Sequence, residues 1–399
     1  MSTLTFAEAR RTVEQQVAAM RQEPEIENVA LTDAPGRILA EPIEADRDYP
    51  PFHRSTRDGY AVRAAQTPGE LRVVGLVRAG QEFPRPVEPG QAVEIMTGAP
   101  VPAGADAVVM VEHTERQGEQ VQVRAGVRPG ENVVPRGSEA APGRSLLDPG
   151  RRLDYPEIAL LASFGRSTAA VYRRPRVAIL STGDEVVEIH QPPSSCQIRN
   201  SNAWSLAVQV TRASGEPLVL PIAPDEPGRT RQLIGQGLEC DLLLLSGGVS
   251  MGKYDLVESV LADLGAEFFF DGVLIQPGKP LVFGRCRERF FFGLPGNPLS
   301  TMVTFEIFAR AALELLAGLA EAPLRFLRAR LAADFRHKPG LTRFLPACLE
   351  GFGDEAVVNP VKWQGSGDVV ALTRSNALLV VAADREQWKA GDWMPVLPR

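Results

Sequence analysis

The sequence predicts a multidomain α/β plus β chain. It contains a doubly wound α/β domain, an inserted all-β domain, an N-terminal helical segment and a C-terminal β-barrel-like domain. Three observations carry this prediction. At 399 residues the chain exceeds what one hydrophobic core usually serves. Between Arg176 and Leu316, apolar strand-like runs alternate with helical periodicity, the rhythm of a parallel sheet with crossover helices. On either side of that stretch, brief β-type runs are separated by turns rich in the chain's 33 prolines and 36 glycines.

Each element has its own local reason. Thr5 and Glu8 form a capping box, and Phe6, Ala9, Val13, Val17 and Met20 recur at helical spacing behind it. After the Pro35-Gly36 turn, residues 37–40 read as a short helical stretch ended by Pro42. From about Tyr49 to Glu139, runs such as 71–77, 107–111 and 120–123 read as strands between turns like Pro89-Gly90. Asp154 and Pro156 open a helix through Ser163, with Gly165 as its stop. That piece rejoins the N-terminal helix and leaves the β domain as an insertion.

The expected α/β strands are 177–180, 217–222, 242–245, 268–270, 281–283 and 290–292, and the helices 202–213, 227–238, 255–264 and 298–316, the last capped by Asn297. Beyond Pro323, the runs 326–333, 342–349, 355–360 and 377–382 suggest a small barrel or sandwich. The expected domains are therefore residues 1–45 with 140–172 (helical, for dimerisation), 46–139 (inserted β), 173–320 (α/β) and 321–399 (C-terminal β).

Composition excludes several classes. Hydrophobic residues at 44% and charged residues at 23% are ordinary for a soluble globular protein. A net charge of −6 supplies no overall field for nucleic acid or an anionic membrane, so neither partner is expected. No run approaches the length of a membrane span and no basic-then-apolar leader opens the chain, so a cytoplasmic protein is expected. Cys196, Cys240, Cys286 and Cys348 lie far apart with no CxxC pair, which argues against zinc and against a disulfide framework. Any metal is expected to be a hard ion on carboxylate oxygens.

Open α/β sheets bind ligands beyond the carboxyl ends of their strands, and three loops there have unusual composition. They are Ser181-Thr182-Gly183-Asp184-Glu185, then Ser246-Gly247-Gly248-Val249-Ser250-Met251-Gly252, then Leu294-Pro295-Gly296-Asn297-Pro298-Leu299-Ser300. Glycine lets main-chain N–H groups approach a phosphate, and serine adds hydroxyl donors. Tight turns account for any one such loop equally well. Neither GxxxxGK[ST] nor GxGxxG is present, which removes the P-loop and the usual dinucleotide fingerprint.

Asp184, Glu185, Asp225 and Asp255 gather at the same edge. Asp225 and Asp255 each precede a helix and read equally as N-caps. Beside phosphate-binding loops, however, carboxylates repel the ligand unless a cation such as Mg²⁺ bridges them. Lys279 in Gln276-Pro277-Gly278-Lys279-Pro280, with Arg343 and Ser366, offers donors for a tetrahedral oxyanion; exposed surface positions explain the same residues. In the β domain, Asp58-Gly59 and Thr97-Gly98 read as turns.

The ordered set DGYA, MTGAP, STGDE, SGGVS, PGKP and LPGNP resembles the molybdopterin molybdenumtransferase family, which includes MoeA and the gephyrin E domain, over residues 5–395. The resemblance implies an enzyme that inserts molybdate into adenylated molybdopterin, with Mg²⁺-dependent release of AMP. It implies a homodimer of four-domain subunits with a shared cleft, and transient contact with molybdopterin adenylyltransferase. On that likeness Asp58 and Thr97 reach the site from the partner subunit. Glu185, Asp225 and Asp255 match the acidic residues that serve catalysis and the metal. Glu139, Ser246, Gly247, Gly248, Ser250, Pro295, Gly296 and Pro298 match substrate-binding positions. Lys279, Ser300, Arg343 and Ser366 match the molybdate set.

Three departures accompany the likeness: Arg57 for a methionine, Ser138-Glu139 for Glu-Asp, and Gln276 for a lysine. Two rival functions share the fold. A molybdopterin adenylyltransferase is typically the α/β domain alone, and a receptor-binding scaffold carries a long linker and an extra domain, neither of which is expected here.

Overall fold

The computed structural model describes residues 3–248 and 256–399. The chain divides into two compact units, one of residues 1–40, 150–158 and 168–399, the other of residues 41–149 and 159–167.

In the larger unit the capping box is present, with Thr5 and Glu8 bonded reciprocally at the start of the helix Phe6–Met20. Ala9, Val13 and Val17 are its buried stripe. They join the same core as Ile179, Leu244 and Phe292 of the central sheet. Phe6 packs edge-on against Phe308 and Phe344.

That sheet has six strands in the order Glu216–Val219, Arg176–Ser181, Leu242–Ser246, Arg289–Leu294, Val282–Cys286 and Glu267–Phe270. The first four run parallel, Val282–Cys286 is antiparallel to its neighbours on both sides, and Glu267–Phe270 therefore runs in the direction of the first four. Separate apolar cores cover its two faces, one involving Leu206, Val303 and Phe305, the other Leu233, Ile234 and Val257. Leu242–Ser246 is buried along its whole length, as a strand covered on both faces must be. The helix expected from Pro298 to Leu316 is continuous but carries a π-turn at Phe305–Ala309.

The C-terminal strands close on themselves. Thr342–Glu350, Val357–Pro360, Leu327–Leu331, Trp393–Pro398 and Ala377–Val381 follow one another, and the last pairs back to the first. Barrel, not sandwich, is therefore the outcome. Closure leaves no free edge except where Ile275–Gln276 adds alongside Thr342 and Arg343.

The smaller unit holds a six-stranded sheet in the order Ala107–Met110, Gly59–Val62, Gln91–Ile95, Gly69–Val77, Gln120–Val123 and Thr114–Gln117. Alternation places Tyr60 and Val62 in one core and Ala61 in the other. Gly59 is obligatory here, because a Cβ would lie 1.9 Å from the Val109 carbonyl oxygen.

One expected element is overturned. Residues 37–40 are extended, with Ile38 bridged to Arg152 and Leu39 to Val171. Both side chains are buried, so cross-chain pairing outweighs their local helical spacing. Among the described residues no helix is long and apolar enough to cross a membrane.

Candidate active site

Three adjacent strands end at one level. Ser181 is the Cα partner of Ser246, and Ser246 of Leu294, so the three loops leave the sheet side by side at its carboxyl edge. Helices Ser201–Arg212 and Pro298–Thr304 begin at the same rim. Together they enclose a cleft of about 400 Å³, lined by parts of all three loops with Arg199, Asn200, Asn202 and Pro280. Helix N-termini and glycine loops present backbone N–H groups, so the cleft suits an anionic ligand.

Its shape depends on two glycines in the left-handed region. At Gly248 (φ +64°) a Cβ would lie 2.8 Å from the Thr182 hydroxyl and 2.7 Å from Val257. At Gly183 (φ +124°) it would lie 2.4 Å from the Glu185 carboxylate. Side-chain amides tie the loops together. Asn202 Nδ2 donates to Ser246 Oγ and to the Gly296 carbonyl, both at 2.8 Å. Asn200 Oδ1 accepts from Ser181 Oγ at 2.8 Å while capping the helix at Ala203 N. Thr301 Oγ1 donates to the Pro295 carbonyl at 2.5 Å. Asn297 occupies its expected N-cap position, but its side chain makes no cap hydrogen bond.

Two polar atoms in the cleft are left over. Thr182 Oγ1 and Asn202 Oδ1 are buried without a hydrogen-bond partner among the described residues. Thr182 is only 5% exposed. An unpaired buried polar atom is costly, and a ligand group that reaches it removes that cost.

The acidic residues divide. The helix Pro227–Gly237 is capped by Glu226, whose carboxylate accepts from Gly228 N and Arg229 N at 2.8 and 2.7 Å. Asp225 is thus not the cap. Its backbone N–H donates to Asp184 Oδ1 at 3.1 Å, and Gly183 N donates to the Ala223 carbonyl, so the two loops adjoin. Glu185 lines the cleft, whereas Asp225 sits on the neighbouring loop and is not part of the lining. Neither side chain has a protein partner among the described residues. Asp255 and Ser250 lie outside the described residues.

Among the described residues no group of three or more His, Cys, Asp or Glu side chains is arranged to hold a metal ion. Mg²⁺ typically needs fewer protein ligands, one or two carboxylates plus phosphate oxygens and water. Two exposed carboxylates free of counter-ions, beside a cleft suited to phosphate, fit that requirement in donor chemistry.

Three of the four proposed oxyanion contacts, Lys279, Ser300 and Ser366, come from elements that meet at Pro298–Thr304, and Arg343 lies on the strand beside Gln276. Gly278, next to Lys279, approaches that helix so closely that a Cβ would lie 2.3 Å from Thr304 Cγ2. The Ser366 carbonyl accepts from Leu299 N at 3.0 Å, beside buried Ser300. Arg343 is 4% exposed and is the register partner of Gln276. Lys279 is exposed, with its side chain uncommitted among the described residues.

In the smaller unit Asp58 and Thr97 do come together. Asp58 Oδ1 accepts from Thr97 N at 2.6 Å and from Thr97 Oγ1 at 2.7 Å. The Thr97 backbone N–H, and then its hydroxyl, hold the Asp58 carboxyl below the ordinary carboxylate range. The turn expected at Thr97-Gly98 is present, and Asp58 is bonded to it. Glu139 lies 3.5 Å from Arg54 Nη2 at the surface of that unit.

Asn200, Asn202, Arg199 and Pro280 were not singled out by sequence reasoning. The Asn-Ser-Asn run ahead of an apolar helical stripe is an N-cap signal, but nothing local shows that Asn202 reaches two other loops.

Comparison with known proteins agrees with this architecture. Residues 4–165 match the family model described as MoeA N-terminal region (domain I and II). Residues 178–315 match the probable molybdopterin binding domain, and 328–398 the MoeA C-terminal region (domain IV). The chain is 39% identical to a molybdopterin molybdenumtransferase of Nostoc sp., over 76% of this chain and 72% of that protein. It is 34% identical to the Bacillus subtilis molybdopterin molybdenumtransferase, over 96% and 91% respectively. Among solved structures, a molybdopterin biosynthesis moeA protein from Pyrococcus horikoshii superposes with a TM-score of 0.81 at 27% identity, covering all of both chains. A second structure from that organism gives 0.75 at 32% identity, over 100% of this chain and 99% of the other.

Proposed function

The chain belongs to the molybdopterin molybdenumtransferase family, and on that premise we propose that it inserts molybdate into adenylated molybdopterin, releasing AMP. The observation that carries this reading is the cleft where three in-register strand ends, two helix N-termini and the unpaired Glu185 converge.

In this reading the nucleotide-bearing pterin lies along residues 181–185, 246–248 and 294–300. Their backbone N–H groups and the Thr182 hydroxyl bind its phosphate oxygens, while Asn202 Oδ1 accepts from a ligand donor. Glu185 and Asp225, with Asp255, would hold Mg²⁺, which when bound neutralises phosphate charge and polarises the phosphoanhydride. Lys279, Ser300, Arg343 and Ser366 hold molybdate close to the dithiolene. The two dithiolene sulfurs bond to molybdenum as one molybdate oxygen leaves as water with the two thiol protons, and a second water cleaves the phosphoanhydride to free AMP and leave the phosphate on the pterin. Holding two mutually repelling anions adjacent in fixed geometry is the main gain in rate. Glu185, or Asp58 supplied by a second copy, orients the attacking water or oxyanion.

The same reading takes the active form as a cytoplasmic homodimer of four-domain subunits, meeting molybdopterin adenylyltransferase transiently to receive its product. Asp58 and Thr97 then act in the partner subunit's cleft, with Glu139 also binding substrate. The test is direct: purified protein is incubated with adenylated molybdopterin, Mg²⁺ and molybdate, and AMP is quantified alongside reconstitution of an apo-molybdoenzyme. AMP release that needs both ions is expected, and a nucleotide left intact under those conditions counts against the proposal.

A further inference from the structure

Arg343 is held in an unusual way. Its Nε donates to His337 Nδ1 at 2.6 Å and its Nη2 donates to the Lys338 carbonyl at 2.8 Å. Nη1 is buried with no hydrogen-bond partner among the described residues. Arg37 and Arg174 also have a buried uncommitted nitrogen, but in each it is Nε, with a single N–H. Arg343 alone of these three leaves a terminal nitrogen, with two N–H groups, unused. No carboxylate pairs with this guanidinium among the described residues, so its positive charge stands uncompensated.

The group that orients it is a histidine in a fixed tautomer. His337 Nδ1 accepts from Arg343 Nε and also from the Lys338 backbone N–H at 2.9 Å. A nitrogen that accepts twice carries no proton, so the ring is neutral with its hydrogen on Nε2. Burial and then the adjacent Arg343 charge hold His337 below its ordinary value, a shift toward the neutral ring. His337 is itself anchored, its backbone N–H bonding to the Glu386 carbonyl at 2.9 Å. Arg343 sits on the strand between Gln276 on one side and Val381 on the other, with Lys279 three residues beyond Gln276.

A carboxylate at position 337 would orient the guanidinium equally well, but it would cancel the charge and compete with an incoming anion. A neutral imidazole orients without cancelling. We propose that His337 is a positioning residue that holds Arg343 through Nε, so that the uncommitted Nη1 of its cationic guanidinium is directed to the tetrahedral oxyanion substrate. This rests on the reading above that Arg343 contacts molybdate.

The experiment compares three substitutions at one position in the full-length enzyme, reading kcat and KM for molybdate together with Tm. His337→Leu removes the acceptor, and KM for molybdate should rise by about tenfold, equivalent to about one hydrogen bond to a charged group. His337→Asn keeps an acceptor near the Nδ1 position and should restore most of the affinity. His337→Asp keeps an acceptor but adds negative charge, so KM should rise at least as far as in the leucine variant while Tm is not lowered. A purely structural histidine predicts the opposite ranking, with aspartate as the best replacement because it forms an ion pair. The proposal is overturned if His337→Asp binds molybdate as well as His337→Asn, or if His337→Leu leaves KM unchanged. Arg343→Ala separates the two levels. If it leaves KM for molybdate unchanged, the assignment of Arg343 itself is wrong; if it raises KM while His337→Leu does not, only the role of His337 is wrong.

Discussion

Two threonines in the two units carry the same hydroxyl in opposite states. In the smaller unit, Thr97 donates both its backbone N–H and its hydroxyl to Asp58, so that pair is complete without a ligand. In the larger unit, Thr182 lines the cleft with its hydroxyl buried and unpaired among the described residues. A satisfied network contributes to the fold as it stands, whereas an unsatisfied one stores binding energy that appears only when a ligand arrives. The difference teaches where to look for binding: among polar atoms that folding leaves without partners.

The comparison can be broken most forcefully at the backbone beneath the Asp58 pair. Gly59→Ala places a methyl group 1.9 Å from the Val109 carbonyl oxygen. A loss on the order of 4 kcal/mol or more is expected, and it should fall on the smaller unit. Limited proteolysis then ought to cut within residues 41–149 while the α/β unit survives. Uniform unfolding of both units would show that they are not energetically separable.

Next in size is the effect on chemistry. Glu185→Gln removes a cleft carboxylate that has no partner among the described residues, so turnover should fall by roughly a hundredfold or more with Tm unchanged. AMP release at several Mg²⁺ concentrations reads this out. A variant of normal activity would remove Glu185 from the site.

Thr182→Val sharpens the contrast on the cleft side. Removing an unpaired buried hydroxyl should leave the ligand-free protein as stable as before, or more stable by up to about 1 kcal/mol. The increase in Tm produced by AMP with Mg²⁺ should shrink. If the variant is instead destabilised without ligand, the hydroxyl already has a partner in solution.

The smallest effect is confined to acid. Because Asp58 is held below the ordinary carboxylate range, folding disfavours its protonation. The stabilisation linked to this is complete at pH values above the ordinary range and is lost as pH falls through the depressed value. Thr97→Val removes the hydroxyl but keeps the backbone donor, so the Asp58 carboxyl should move part of the way back. Urea midpoints measured from neutral to acid pH should show the wild-type protein's pH-dependent advantage shrinking only in that window. A constant difference between the two proteins would mean that Asp58 is not the titrating group.

Much of this was legible in the residues. The capping box at Thr5 and Glu8, the fully apolar run around Leu243 and the alternating strands of the β unit are each dictated locally, by hydrogen-bond geometry or side-chain period. The motif loops were identifiable as phosphate-suited, and their common edge followed from the strand–helix rhythm. Residues 37–40 misled because a short apolar pair fits a helix turn and a bridge equally well, and only Arg152 and Val171 decide between them. Asp225 was ambiguous because two acidic residues in a row precede Pro227, and either can cap. Glu226 does so, and the Asp225 side chain has no partner among the described residues.

What the sequence determined by itself was class, element order and the kinds of donor present, since these follow from periodicity and residue chemistry over a few positions. Only the tertiary structure decided which polar atoms remain unpaired. Thr182, Asn202 and Arg343 have ordinary local contexts; the partners of Asn202 lie 44 and 94 residues away and those of Arg343 come from the segment just before its strand. Hydrogen-bond satisfaction is a property of the closed three-dimensional network, and no window of sequence contains it.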